Sequence, residues 1–287
     1  MSFTARFMLV FAIGLVAAMV LSPLVAIAVA AAGYRFPFPR IFDRTVIVTV
    51  VIAIVSSARA FGLGARLTRG FAWRPDSAPR ALRGFALGIA ATGVLLALAV
   101  FAEGAAAAAI AGLATRAIRS IPAAIVIAIG EEGFFRAFLL DGMETDFGKR
   151  GAIVASSVIY AVAHLLRSPA RFYVTGLEPT AGARNVVAVC AQLADPRAML
   201  PPLIGLFVIG LLLGAAFVLT GTVYFSIGIH AGLVMGLKSW PAIPDRAALA
   251  GWLFGYGRFP LVSGAAAWVI AIAMLAMIRP LTRARRP

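Results

Sequence analysis

Long apolar runs alternate with short, arginine-rich polar segments along the whole chain. A transmembrane α-helix needs about 20 predominantly apolar residues, and eight runs reach or approach that length. In chain order they are 7–32, 45–63, 84–102, 120–140, 151–166, 201–219, 223–237 and 261–278. This pattern predicts an all-α fold, a polytopic transmembrane helix bundle of about eight spans. The runs 151–166 and 223–237 are the shortest, so seven spans is the alternative count.

Composition and charge support the membrane assignment. The chain is 62% hydrophobic with a mean hydropathy of +0.98, and its 13% of charged residues is about half the share of soluble domains. A net charge of +15 would suggest a nucleic-acid partner in a soluble protein. Here the arginines flank apolar runs, which is typical of membrane topology and of contact with anionic lipid. The expected partner is therefore the lipid bilayer, with no nucleic acid.

The orientation follows from the loop at 59–83, which contains six arginines and one aspartate. The positive-inside rule places this loop in the cytoplasm. An even number of spans then places the N and C termini there too, in a bacterial-type inner (plasma) membrane. The chain divides into three N-terminal spans at 1–119, a core at 120–240, and a last span with a basic tail at 241–287.

The fourth apolar run carries two adjacent carboxylates and an arginine. A charge at membrane depth costs roughly 2.5–3.5 kcal/mol on insertion scales, so a chain keeps one only where it pairs or acts. Glu132 and Arg136 are four residues apart and share one face of a helix, where they can form an ion pair. Glu131 is rotated by about 100° and is available for another task, such as general base.

The two histidines of the chain both fall in later apolar runs. His164 follows Tyr160 by one helical turn, and His230 lies in the run at 223–237. A glutamate and two histidines from three helices can activate a water molecule and stabilise an oxyanion.

These residues resemble the motifs of the CPBP family of membrane proteases, which includes type II CAAX prenyl endopeptidases and bacteriocin-processing enzymes. The family pattern of two glutamates and an arginine corresponds to Glu131-Glu132-Gly-Phe-Phe-Arg136. The pattern Phe-xxx-His corresponds to Tyr160-Ala-Val-Ala-His164, and His-xxx-Asn to His230-Ala-Gly-Leu-Val234. The resemblance covers roughly 120–240, which it marks as a CPBP-like catalytic core.

The resemblance implies an intramembrane glutamic endopeptidase that needs no cofactor. Glu131 would activate the attacking water with help from His164, and His230 would help to hold the oxyanion. The pair Glu132–Arg136 would support them. Two positions depart from the family pattern. Tyr160 replaces a phenylalanine, and Val234 replaces the asparagine that would donate the second hydrogen bond to the oxyanion.

Three alternatives stay open at this stage. A zinc-dependent peptidase would use the glutamate and the histidines as ligands, although no local His-Glu-x-x-His spacing favours a metal site. A proton-coupled transporter would use the same residues as a relay. A catalytically silent scaffold or immunity protein would explain the valine at 234. The expected substrate is a membrane-associated peptide or protein, and the sequence determines neither its lipidation nor the oligomeric state.

Overall fold

A computed structural model describes residues 1–103, 107–240, 250–255 and 261–282. These residues form α-helices and one π-helical segment, and no strand occurs in the described ranges, so the predicted all-α fold is confirmed. In chain order the elements are α1 (Phe3–Ala31), α2 (Phe38–Ser56), α3 (Ala58–Phe61), α4 (Leu63–Gly70), α5 (Ser77–Glu103), α6 (Ala107–Glu132), π1 (Gly133–Leu140), α7 (Asp141–Leu165), α8 (Ala181–Leu193), α9 (Pro196–Thr220), α10 (Tyr224–Ser239), α11 (Gly251–Phe254) and α12 (Ala265–Thr282).

Four of the described helices are long and apolar enough to cross a membrane: α1, most of α5, α9 and α12. They correspond to the first, third, sixth and eighth of the predicted spans. The count of eight stays a prediction. Two helices show why fewer than eight meet the length and composition of a span. The helix α10 has only 16 residues, and the first two turns of α2 contain three charged residues, Arg40, Asp43 and Arg44.

The polar stretch 141–150, which separates the fourth and fifth apolar runs, is mostly helical. Only Gly148 departs from helical geometry there, with φ 66° and ψ 173°, and it kinks α7 near the end of that stretch. Glycine has no Cβ and adopts a positive φ without steric cost, so it confines the bend to one residue.

The described chain forms two compact units. The first comprises 1–64 and 162–199, and the second comprises 65–161 and 200–287. In the first unit α1 packs against α2 and α8. The Thr49 hydroxyl donates a hydrogen bond to the Gly14 carbonyl oxygen at 2.8 Å, which joins α2 to α1 at a glycine. The boundaries of these units differ from those of the segments 1–119, 120–240 and 241–287 predicted from the sequence. The three-segment division stays a prediction.

The second unit is organised around α10. One face of α10 packs against α5 and another against α6. A core of α9, α10 and α12 side chains, which includes Leu213, Phe225 and Met274, lies beside them. Because α10 carries His230 and α6 carries the two glutamates, this packing determines how the candidate site is assembled.

Candidate active site

The two glutamates end α6, and the arginine lies in the π-helical segment that follows. The spacing of the sequence predicts a continuous α-helix here, whereas the structure widens it over Gly133–Leu140. The backbone N–H of Asp141 reaches the Arg136 carbonyl oxygen, which is the five-residue spacing of a π-helix. Seven of the eight residues of π1 are buried, so the wider turn lies inside the protein. Short π-helical turns inside α-helices are rare and are frequent at functional sites.

Close backbone packing surrounds π1. A Cβ on Gly70 of α4 would lie 2.4 Å from the Ala137 Cβ, and a Cβ on Gly214 of α9 would lie 3.2 Å from a Leu140 methyl. At the end of π1, Asp141 accepts from Arg66 at 2.5 Å and from Arg69 at 2.9 Å. These contacts fix the middle and the C-terminal end of the segment that carries Arg136.

The ion pair expected from the helical spacing is present. The Glu132 Oε2 atom lies 3.4 Å from the Arg136 Nε atom, and both side chains are buried, at 0% and 1% exposure. The Arg136 Nη2 group also reaches the Gly210 carbonyl oxygen at 3.5 Å. The Nε and Nη1 groups have no hydrogen-bond acceptor among the described residues. The guanidinium therefore depends on Glu132 for charge compensation.

His230 bridges the two glutamates. Its Nδ1 atom lies 2.8 Å from the Glu132 Oε1 atom, and its Nε2 atom lies 3.8 Å from the Glu131 Oε2 atom. Glu132 is fully buried, whereas the Glu131 side chain is 31% exposed. A buried carboxylate on Nδ1 fixes the plane of the imidazole and points Nε2 at the accessible carboxylate. Sequence reasoning missed the contact between Glu132 and His230, because spacing rules act within one helix and this contact joins two.

Tyr160 completes the wall of the cluster. Its ring lies 4.9 Å from the Arg136 guanidinium carbon, 5.0 Å from the Phe135 ring and 6.4 Å from the His230 ring, edge-on to both rings. The side chain is buried, at 3% exposure. A cation over the face of an aromatic ring is stabilised electrostatically, and more strongly in a desolvated site. The ring of Tyr160 thus packs against both the arginine and the histidine.

Ser226 is a further contact that the sequence did not reveal. It lies one turn before His230 on α10 and is fully buried. Its hydroxyl lies 3.0 Å from the Val223 carbonyl oxygen and also within hydrogen-bonding reach of the Glu132 carboxylate. A hydroxyl has one proton to donate, so it satisfies one of these acceptors at a time.

Two further predicted positions are His164 and Val234. Val234 is half-buried on α10, one turn after His230. His164 lies in the last turn of α7, in the part of that helix that belongs to the first unit. The structure thus joins Glu131, Glu132 and His230 with Arg136 and Tyr160, and the place of His164 in the site stays a prediction.

The charges of this cluster nearly balance. Two carboxylates and one guanidinium leave a single negative charge when His230 is neutral, and none when it is protonated. Among the described residues, no three carboxylate, histidine or cysteine side chains are arranged to hold one metal ion. The arrangement instead offers a partly exposed carboxylate beside an oriented imidazole. Two atoms 3.8 Å apart are close enough for one water molecule to bond both. Such a pair can share the proton of an attacking water.

Residues 113–236 match the family model described as type II CAAX prenyl endopeptidase, Rce1-like. The match begins in α6, ends in α10 and contains every residue of the cluster. It confirms the resemblance to the CPBP family and supports a CAAX-type protease and an integral membrane protein. No curated protein and no solved structure matches the chain.

Proposed function

We propose that the protein is an intramembrane endopeptidase in which Glu131 activates water for attack on a peptide bond. The observation that carries this proposal is that His230 contacts both glutamates, the buried Glu132 and the partly exposed Glu131. Glu132 holds the Nδ1 atom of His230, and the Nε2 atom of the same ring faces Glu131 at 3.8 Å. The family match supports the same reaction class.

In the proposed reaction Glu131 takes a proton from water as the oxygen atom attacks the carbonyl carbon. The new C–O bond moves the carbonyl electrons onto oxygen, and the tetrahedral intermediate carries a negative charge there. The intermediate collapses, the C–N bond breaks, and the amine leaves with the proton returned by Glu131. His230 stabilises the oxyanion when its Nε2 carries a proton, and the family resemblance assigns His164 to assist Glu131.

A second donor for the oxyanion is assigned to Tyr160. Val234 carries no donor, so the position one turn after His230 cannot supply one. Tyr160 brings a hydroxyl into the same cluster, beside His230 and Arg136. Loss of one oxyanion donor typically costs about 10²–10³ in kcat. A hydroxyl on Tyr160 would offset the absence of a donor at 234.

The proposed site is metal-independent. The Arg136 guanidinium lies against the Glu132 carboxylate. Its positive charge would repel a metal cation bound to the same carboxylate. The Nδ1 atom of His230 is engaged by Glu132, an arrangement that metal-binding histidines also show, so this contact does not distinguish the two mechanisms. The repulsion by Arg136 favours general-base chemistry over a zinc site that includes Glu132.

The proposed orientation keeps both termini in the cytoplasm of a bacterial-type inner membrane. Three segments of the second unit that the span count places on the cytoplasmic side touch one another. Arg66 of the 59–83 loop binds Asp141. Arg80 of the same loop donates to the Thr220 carbonyl oxygen at 2.9 Å, where α9 ends. Contacts among these three short connections support a common side of the membrane.

The proposed substrate is a membrane-associated peptide or protein, and the test is cleavage in liposomes. The purified protein would be mixed with membrane-anchored peptides, with and without a prenylated C-terminal cysteine, and the products identified by mass spectrometry. A defined cleavage product supports the peptidase. Proton or solute uptake by the same liposomes, with no cleavage of any peptide, would instead indicate a transporter. The absence of both activities would indicate a silent scaffold.

A further inference from the structure

A seam of small residues packs α5 closely against α10. It is defined by Gly84, Gly88 and Thr92 on α5 and by Gly228, Gly232 and Gly236 on α10. A Cβ added to Gly88 would lie 2.4 Å from the Ile229 carbonyl oxygen. One added to Gly228 would lie 2.1 Å from the Ala81 carbonyl oxygen, and one added to Gly84 would lie 2.3 Å from the Phe225 carbonyl oxygen. Small residues at four-residue spacing allow two helix backbones to approach this closely in a membrane.

This seam and the candidate site occupy opposite faces of α10. His230 lies two positions from Gly228 and two from Gly232, which is about 200° around the helix in either direction. The face that carries His230 and Ser226 contacts Glu132 of α6. The helix α10 is therefore held between α5 on one side and the glutamates on the other.

We propose that α5 is a positioning element for the active site, and that the glycines of the seam set the distance between His230 and the two glutamates. The obstacles that an added Cβ meets at 84, 88 and 228 are backbone atoms, which cannot rotate out of the way. An added methyl group must increase the distance between α5 and α10, and the part of that displacement taken by α10 moves His230 as well. The region matched by the family model begins at 113, so α5 lies wholly outside it.

The inference rests on the proposed function for its kinetic readout, and a second readout is independent of it. The chain has two histidines, so ¹⁵N labelling of histidine gives four ring-nitrogen signals. The Nδ1 signal of His230 reports its hydrogen bond to Glu132, whether or not the protein cleaves a substrate. Signals of His164 serve as an internal reference, and His164→Gln assigns them.

The first test compares Gly88→Ala with Gly93→Ala. Both glycines lie in α5, but a Cβ on Gly93 meets nothing within 4 Å. We expect Gly88→Ala to shift the Nδ1 signal of His230 and to lower kcat by roughly 10- to 100-fold with KM within twofold, because a misplacement of about 1 Å can cost 10²-fold. Gly93→Ala should change neither. A folded Gly88→Ala protein with the wild-type His230 signal would overturn the inference. A shifted signal in an enzyme with unchanged kcat would overturn the claim that this distance controls catalysis.

A reciprocal swap keeps the inference testable if Gly88→Ala does not fold. A Cβ on Gly236 would lie 2.2 Å from the Thr92 Cβ, so here the obstacle is a side chain that can be removed. Gly236→Ala alone should shift the His230 signal, and Gly236→Ala combined with Thr92→Gly should return it to its wild-type position, with kcat within about threefold. A double variant that folds but keeps a displaced His230 signal would contradict the role of the seam. If no wild-type cleavage is found with any peptide, the proposed function fails, and the NMR comparison still decides the positioning claim.

Discussion

Glu132→Gln removes one buried charge and keeps the size and shape of the side chain. In the wild type this carboxylate faces Arg136 on one side and His230 on the other, with no exposure to solvent. The amide oxygen of glutamine can still accept from the imidazole Nδ1–H group. The guanidinium of Arg136 loses its counter-ion in this variant. Its Nε and Nη1 groups already have no hydrogen-bond acceptor among the described residues.

Removing one partner of a buried ion pair costs about 3–5 kcal/mol, because the other charge stays buried and unpaired. We expect Glu132→Gln and Arg136→Met each to lower the free energy of unfolding by about that amount. Replacing both partners by neutral groups of similar size is often close to neutral. The double variant is therefore expected to lie within about 2 kcal/mol of the wild type, which gives a coupling energy of roughly 4 kcal/mol or more in magnitude.

The assay is unfolding in mixed micelles by titration with a denaturing detergent, followed by circular dichroism for the wild type, both single variants and the double variant. The exposed pair Glu178–Arg184, at 3.1 Å, is the matched control. Its cycle of Glu178→Gln and Arg184→Met should give a coupling energy of about 0.2–1 kcal/mol, as for other surface pairs. A coupling energy for Glu132 and Arg136 no larger than that of the control would refute the reasoning.

Three further outcomes are expected from the proposed mechanism. Tyr160→Phe keeps the ring against Arg136 and should lower kcat about 10²-fold, the effect of one lost oxyanion donor. Adding Val234→Asn to this variant should recover most of that loss. No loss of kcat in the single variant, or no recovery in the double variant, would show that Tyr160 is not an oxyanion donor. His164→Ala should abolish cleavage without changing the amount of protein inserted in the membrane, and wild-type turnover by this variant would show that His164 has no catalytic part. Incubation with a strong zinc chelator should leave turnover unchanged, and a loss that added zinc restores would contradict a metal-independent mechanism.

Local features of the site could be predicted from the sequence because helical geometry fixes them. The four-residue spacing of Glu132 and Arg136 places them on one face, and the structure pairs them. The all-α fold follows from apolar runs of membrane-spanning length. The prediction that Glu131, His164 and His230 share one site stays a prediction, and the structure records a 3.8 Å contact between Glu131 and His230.

Features that depend on two helices could not be predicted. The contact of His230 with Glu132 joins residues 98 positions apart, and no periodicity of either helix selects Glu132 over Glu131. The π-helical turn was also missed, because Gly133–Leu140 is as apolar as an ordinary α-helical segment. The seam between α5 and α10 has a visible signal in the four-residue spacing of Gly84, Gly88, Gly228 and Gly232, but that spacing does not say which helices meet.

The central claim is that Glu131 activates the water and Glu132 does not. The direct measurement is single-turnover cleavage of a membrane-anchored peptide by Glu131→Gln protein in liposomes, beside the wild type and a Glu178→Gln control. We expect Glu131→Gln to lower the rate at least 10²-fold with an unchanged unfolding midpoint, since the Glu131 side chain is partly exposed and is not the counter-ion of Arg136. The control should cleave at the wild-type rate. Cleavage by Glu131→Gln at the wild-type rate would contradict the account.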